Sequence, residues 1–270
     1  MLTFIPTPIG NPQDITLRAM KLFEKAALFL CEDTRHTKRL LRLLEERFGM
    51  VYPDAEFISF NEHNGEERLQ EFGAVLDKKE VVYVSDAGMP VISDPGQILV
   101  SYCQEKQIAY DVLPGASAVT TAYAASGFEE GKFLFFGFLP HKGKERSTAL
   151  NEAMNNGYNT VLYEAPHRLE KFLKEVAQID AERELFLAKE ISKKFQTYFR
   201  GSAGELEKQF RESVIKGEWV VIVHGKKNEE KSLYFDEVLQ LDLPPKIKAK
   251  LLAKLSDKSV KEWYETLIRT

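Results

Sequence analysis

The sequence predicts a two-domain α/β protein: a parallel sheet with flanking helices over 1–126, a mixed sheet over 127–228, and an acidic linker with a basic helical tail over 229–270. Three observations predict it. Strand-like runs alternate with helical periods through the first half, as βαβ crossovers require. Those strands are near-continuous apolar runs, the pattern of a parallel sheet covered on both faces. In the second half, ELFLAKEI (184–191) and FQTYFRG (195–201) lie too close for a helical crossover, so antiparallel pairing is expected there.

In chain order, LTFIP (2–6) reads as a strand, followed by a helix over 14–25 with Leu17, Met20 and Leu22 facing the core. ALFLCE (27–32) and a helix through RLLRLLEE (39–46) follow, then FISF (57–60) and a helix over 65–77. VVYVSD (81–86) precedes a helix through QILVSYCQE (97–105), and AYDVLP (109–114) leads into the small-residue helix that starts at ASAVTTAYAAS (116–126). GFEEGK (127–132), polar and bounded by glycine, marks the break between domains. Beyond it come FLFFGFLP (133–140), a helix over 145–156, NTVLYEA (159–165), a helix over 167–178, the two strands named above and EWVVIVHG (218–225). Residues 229–243 are acidic and linker-like, and Pro244–Thr270 reads as helical.

Composition narrows the function. The 270 residues carry 37 Lys plus Arg against 41 Asp plus Glu, a net charge of −4, which excludes a basic coat that binds nucleic acid everywhere. The charge is uneven: the tail from Pro244 carries +4 and the rest −8, and Arg35, Lys38, Arg39 and Arg42 stand together without an acid. Cys31 and Cys103 are the only cysteines, too few for a disulfide framework or a CxxC metal box. No signal-peptide pattern opens the chain, and its apolar runs are strand-sized, so a cytoplasmic protein with no membrane span is expected.

The chemically unusual residues follow the carboxyl ends of the first five strands: PTPIGNPQD (6–14), CEDTRHT (31–37), SFNEHN (59–64), VSDAGMPVISDPG (84–96) and LPGASA (113–118). Ligands of open parallel sheets bind outside those ends, so the five loops are expected to line one rim. The sequence has neither GxGxxG nor a GxxxxGK[ST] phosphate loop. In SDAGMPVISDPG, Gly88 and Gly96 permit close backbone approach and the prolines fix the loop. Asp86 is placed to accept hydrogen bonds, and Asp94 also reads as a helix cap.

PTPIGNPQDIT, EDTRHT, SDAGMPVISDPG, LPGASA, FFGFLP, YEAPHR and GEWVVIV occur in the order seen in the tetrapyrrole methylase superfamily, which the chain resembles over roughly residues 1–225. EDTRHT, GFLP and the Y-E-x-P-H-R pattern resemble the branch that methylates the ribose 2′-hydroxyl of a cytidine in the decoding centre of 16S ribosomal RNA. The resemblance implies S-adenosyl-L-methionine in a cleft between the two domains, a 30S substrate and a homodimer. By motif, Pro8, Asp86, Gly88, Met89, Ser117 and Ala118 should border the cofactor, and Leu162 and Tyr163 should close it from the second domain. The sequence departs from the family pattern at Lys189, where Arg is usual, and at Gln196, which replaces a Glu.

Methyl transfer from a sulfonium needs no metal, but a ribose hydroxyl gains from a nearby proton acceptor. Asp33 and His36 are the candidate catalytic residues, one orienting the other. Arg35, Lys38, Arg39 and Arg168 are the candidate RNA contacts. The bland readings are a helix N-cap for Glu32–Thr34 and a Pro-assisted helix start around His167 and Arg168. HKGKER (141–146) is either a phosphate grip or a solvated loop, and the Lys246, Lys248, Lys250, Lys254 series reads as a wet helical face. Two alternatives stay open: the same fold methylating a tetrapyrrole or a protein side chain, and an RNA-binding assembly factor without chemistry.

Overall fold

The computed structural model describes residues 1–61, 64–226, 235–256 and 258–269. Residues Met1–Lys226 form one unit, and Lys227–Thr270 form another. The first unit opens with five parallel strands, β1 (Leu2–Phe4), β2 (Leu28–Cys31), β3 (Glu56–Ser59), β4 (Val81–Val84) and β5 (Tyr110–Val112), in the order β3-β2-β4-β1-β5. Alternate side chains leave the two faces of the sheet. Leu28, Leu30, Val81 and Tyr83 enter one core with Phe4 and Leu99, whereas Phe29, Cys31, Val82 and Val84 enter the other with Phe23 and Leu41. With both faces covered, the inner strands β2 and β4 are buried and apolar at all four positions, which explains their continuous runs in the sequence, whereas the edge strands β3 and β5 are only partly buried.

The helices between these strands take their phase from buried pairs. Helix α1 (Leu17–Lys25) begins where the Thr16 side chain accepts from Ala19 N at 3.0 Å, and it buries Ala19 and Phe23, four residues apart. Burying a side chain such as Phe23 stabilises by about 1.5–3 kcal/mol. That phase turns Leu17 outward, 78% exposed, against the expectation that it faces the core, while Met20 and Leu22 pack at the core's margin. Helix α2 (Thr34–Phe48) starts five residues earlier than the apolar pattern alone predicts, because Asp33 caps it; Gly49 ends it in the left-handed region at φ 68°. Thr37, Leu41 and Leu44 form its buried stripe, which leaves Arg35, Lys38, Arg39 and Arg42 exposed. Helices α3 (Gly65–Phe72), α4 (Gln97–Glu105) and α5 (Ala118–Ser126) complete this half.

The second sheet comprises β6 (Phe133–Phe138), β7 (Asn159–Glu164), β8 (Glu184–Lys189), β9 (Thr197–Ser202) and β10 (Trp219–Val223), in the order β6-β7-β10-β8-β9. Only β6 and β7 pair parallel; the remaining pairs are antiparallel, as the short 184–201 spacing requires. Helices α6 (Gly143–Asn155), α7 (Pro166–Ile179) and α8 (Ala203–Phe210) cover one face over Leu162, Leu185, Leu187 and Val221. The opposite face, with Val161, Phe186, Val220 and Ile222, packs on Val119 and Ala122 of α5. Helix α5 thus joins the first sheet's rim to the second sheet. Helix α8 is an addition to the predicted element order. Ser202 and Glu205 form its capping box, and Ala203, Leu206 and Phe210 its buried stripe.

In the second unit, α9 (Phe235–Gln240), α10 (Pro245–Lys254) and α11 (Val260–Arg269) enclose Val238, Ala249, Leu252 and Trp263. The stretch read as a linker is therefore helical over Phe235–Gln240, and its positions 229–234 lie outside the described residues.

Candidate active site

The order β3-β2-β4-β1-β5 puts the topological switch at β1. The chain leaves β1 toward β2 on one side and crosses from β4 to β5 on the other, so the loops after β1 and β4 diverge there, with the loop after β5 beside them. Two close approaches lock them together. Thr7 and Gly88 exchange a pair of backbone hydrogen bonds, each 3.0 Å. Gly88 has φ 84°, and a Cβ there would meet Ile9 Cγ2 at 3.1 Å. In the third loop, a Cβ on Gly115 would lie 2.6 Å from Pro6 Cβ, so only glycine lets LPGASA approach the first loop this closely.

Between these loops and the second sheet lies a cavity of about 360 Å³, within the size range of sites for drug-sized molecules, roughly 300–1,000 Å³. Ile9, Met89, Ile92, Phe138, Tyr163 and Trp219 supply much of its apolar wall. Glu32, Ser85, Asp94, Ser117 and Glu164 add polar groups. Ser85 Oγ and Asp94 Oδ2 are buried without a hydrogen-bond partner, an arrangement that favours a bound ligand able to supply donors. Asp94 Oδ1 is already engaged by Tyr83 Oη at 3.0 Å and Gly96 N at 2.8 Å, and burial pushes the Asp94 carboxyl above its ordinary range. Burial likewise pushes the Tyr163 phenol up to about 12, so it is a neutral group at the wall.

Of the residues expected to border a cofactor, Gly88, Met89, Ser117, Ala118 and Tyr163 line this cavity. Pro8, Asp86 and Leu162 lie outside the lining. Pro8 immediately precedes Ile9 in the wall. Leu162 pairs in register with Val221 and faces the α6–α8 core, whereas its neighbour Tyr163, opposite Val220, faces the cavity; period-two alternation separates them. The wall also includes Ile9, Glu32, Ser85, Phe138, Ala165, Glu218 and Trp219, none of them singled out from the sequence as cofactor contacts, although all fall within or beside the quoted motifs. Among the described residues, four of the five expected rim loops contribute. In SFNEHN, Glu62 and His63 lie outside the described residues, Phe60 is buried, and Asn61 and Asn64 hydrogen-bond locally.

At the start of α2, the expected Asp33–His36 pairing gives way to two others. Asp33 Oδ1 accepts from Arg35 N at 2.8 Å, and Asp33 Oδ2 pairs with Arg35 Nη2 at 2.6 Å. The hydrogen bonds from the Arg35 side chain and backbone hold the Asp33 carboxyl well below the usual carboxylate range. His36 Nδ1 lies 2.8 Å from Asp86 Oδ2 instead. Arg35, Lys38, Arg39 and Arg42 line a separate concavity of about 490 Å³ along α2, with Lys38 Nζ stacked 4.9 Å over the Phe57 ring. The departures from the family pattern have local partners. Gln196 Oε1 accepts from Ser192 N at 2.5 Å, and Lys189 Nζ stands 5.6 Å over the Trp219 ring.

Residues 1–207 match the model of the family described as Tetrapyrrole (Corrin/Porphyrin) Methylases. The chain belongs to the tetrapyrrole methylase family. A Helicobacter pylori protein named Ribosomal RNA small subunit methyltransferase I is 44% identical, with 98% of this chain and 96% of that protein aligned. A Thermotoga maritima protein of the same name is 42% identical over 83% of this chain and 98% of its own length. Among solved structures, a uroporphyrin-III C-methyl transferase from Thermus thermophilus complexed with S-adenyl homocysteine shares the fold, with a TM-score of 0.55 at 14% identity. It covers 82% of this chain and 96% of its own.

One expected RNA contact of this tetrapyrrole methylase is internal. Arg168 is buried in α7; its Nε pairs with Glu164 Oε1 at 3.0 Å, and its Nη2 donates to Leu139 O at 2.6 Å and Pro140 O at 3.2 Å. Arg146 Nη2 stands 3.4 Å from the same carboxylate. Two guanidiniums therefore neutralise Glu164 at the cavity wall, and Arg168 shapes the site from behind. Among the described residues no cluster of three or more His, Cys, Asp or Glu side chains is arranged to hold a metal, and no helix is long and apolar enough to cross a membrane.

Proposed function

We propose that the chain transfers a methyl group from S-adenosyl-L-methionine to the ribose 2′-hydroxyl of a cytidine in the decoding centre of 16S ribosomal RNA, acting on the 30S subunit in the cytoplasm as a homodimer. The observation that carries the reading is 44% identity, along 98% of this chain, to a protein named for ribosomal RNA methylation. When bound, the cofactor supplies a methyl group already activated on a sulfonium, so the protein's tasks are alignment and removal of one proton.

The residues fit that division of labour. Gly88, Met89, Ser117, Ala118 and Tyr163 would hold the cofactor against an apolar wall, with Ser85 and Asp94 among the polar residues beside it. Arg35, Lys38, Arg39 and Arg42 would grip phosphates of the folded RNA, a contact set that suits a protein of net charge −4. His36 is the better proton acceptor of the two candidates at the rim. Asp33 is committed to Arg35 and to the helix cap, and its lowered proton affinity makes it a weak base.

Label from tritiated S-adenosyl-L-methionine, offered together with unmodified 30S subunits, tests the reading against its alternatives. The expected result is label in RNA. Label only in protein or in an added tetrapyrrole would replace the substrate, and cofactor binding with no transfer would favour an assembly factor.

A further inference from the structure

We infer that Asp86 is a positioning residue for His36 and not a cofactor contact: the two form a carboxylate–imidazole pair that presents Nε2 to the acceptor hydroxyl. The inference rests on the methyl-transfer reading above and deepens it by one residue.

The pair arises from the register of two neighbouring strands. Cys31 of β2 lies opposite Val84 of β4, so the loops that leave these strands emerge side by side. Asp86, two residues beyond β4, meets His36, five residues beyond β2 in the first turn of α2. Both carboxylate oxygens are engaged there. Asp33 N donates to Oδ1 at 3.2 Å, and His36 Nδ1 lies 2.8 Å from Oδ2. The backbone is fixed too, because Asp86 N donates to Glu32 Oε2 at 3.0 Å. Ser85, Ala87 and Glu32 line the cavity while Asp86 does not, so the pair sits at the cavity's margin with its carboxylate turned to α2.

The chemistry follows from the acceptor. A carboxylate can only accept, so Nδ1 carries the hydrogen and Nε2 keeps its lone pair. As the methyl–oxygen bond forms, the hydroxyl O–H bond breaks and its proton goes to Nε2. The carbon–sulfur bonding pair returns to sulfur, and the imidazolium that results is paired with Asp86. Arg35, the nearest cation in sequence, is held by Asp33, which leaves Asp86 to the imidazole.

The test compares Asp86→Asn, His36→Gln and the double variant for cofactor affinity by calorimetry and for single-turnover methylation of unmodified 30S subunits at saturating cofactor. An imidazole base contributes on the order of 10²-fold or more. Asp86→Asn is expected to slow the single turnover about tenfold or more while cofactor affinity stays within about twofold, and the double variant should be no slower than His36→Gln. Loss of cofactor affinity with an unchanged saturated rate would overturn the inference, as would additive effects of the two substitutions. A readout free of substrate separates this failure from failure of the RNA reading: nitrogen-15 spectra should show the Nδ1-protonated tautomer of His36 in the wild type, lost in Asp86→Asn. A wild type that methylates no RNA overturns the RNA reading, and an Nε2-protonated His36 overturns the pair.

Discussion

Replacing Arg168 by Met separates a buried structural role from RNA binding. Methionine keeps most of the apolar stem and removes the guanidinium, which is the part under test. Glu164, itself buried, would lose its nearer partner at 3.0 Å and retain Arg146 at 3.4 Å, while Leu139 O would lose its 2.6 Å donor. Pro140 O would keep Arg146 Nη1 at 3.1 Å. Breaking a buried pair typically costs about 3–5 kcal/mol, and the surviving Arg146 partner favours the lower end, about 3 kcal/mol. For a domain of this size, where each kcal/mol shifts the midpoint by about 2–4 °C, that corresponds to about 6–12 °C in Tm. Thermal unfolding read by circular dichroism measures it, beside 30S binding at a temperature where both proteins are folded. The expected outcome is a large loss of stability with near wild-type RNA affinity. A protein of wild-type stability that no longer binds 30S subunits would refute the reasoning and return Arg168 to the RNA interface.

Three further outcomes are expected. Replacing Lys38, Arg39 and Arg42 together by Gln should flatten the salt dependence of 30S binding by about 2 in the log–log slope, since each neutralised phosphate contributes about 0.7–0.9; an unchanged slope would remove α2 from the interface. Gly88→Val forces a β-branched residue to φ 84° with its Cβ about 3.1 Å from Ile9, so cofactor affinity by calorimetry should fall tenfold or more; intact affinity would mean the Thr7–Gly88 bridge does not shape the cavity. The Asp33 carboxyl is lowered on folding, so its stabilising contribution is complete above its ordinary value of 3.8 and is lost as pH falls through the depressed one. Asp33→Asn, which keeps a capping side chain, should therefore be less stable than wild type at pH 7, with the gap in denaturant midpoint narrowing below about pH 4. A gap independent of pH would contradict the Arg35 pairing as its source.

Much of the fold was legible because its periods are clean. The inner parallel strands β2 and β4 are buried on both faces, so continuous apolar runs at 28–31 and 81–84 could be read directly, and QILVSYCQE coincides with α4. Helix α8 left a sequence signal in Ser202-x-x-Glu205 ahead of Leu206 and Phe210, but a single two-turn helix between strands is easily passed over. Leu17 shows the limit of composition: an apolar residue at a helix start says nothing of phase, which the Ala19–Phe23 pair decides. The cavity was legible as loops rather than as individual side chains. Leu162 and Tyr163 are adjacent in sequence and lie on opposite faces of β7, a distinction that needs the strand's register. Arg168 in a charged helix-start motif resembles a phosphate ligand until Glu164, four residues earlier, is seen to be buried beneath it. The Asp86–His36 pair joins residues fifty apart, and only the β2–β4 pairing brings them together.

The most direct test of the central claim is nucleoside analysis of 16S ribosomal RNA after reaction. Unmodified 30S subunits are incubated with the wild-type chain and labelled S-adenosyl-L-methionine, and the RNA is digested to nucleosides for mass spectrometry. Methyl transfer as proposed predicts label in a single nucleoside, 2′-O-methylcytidine, that maps to the decoding centre. Label on a base, at another ribose, or absent from the RNA altogether would contradict it.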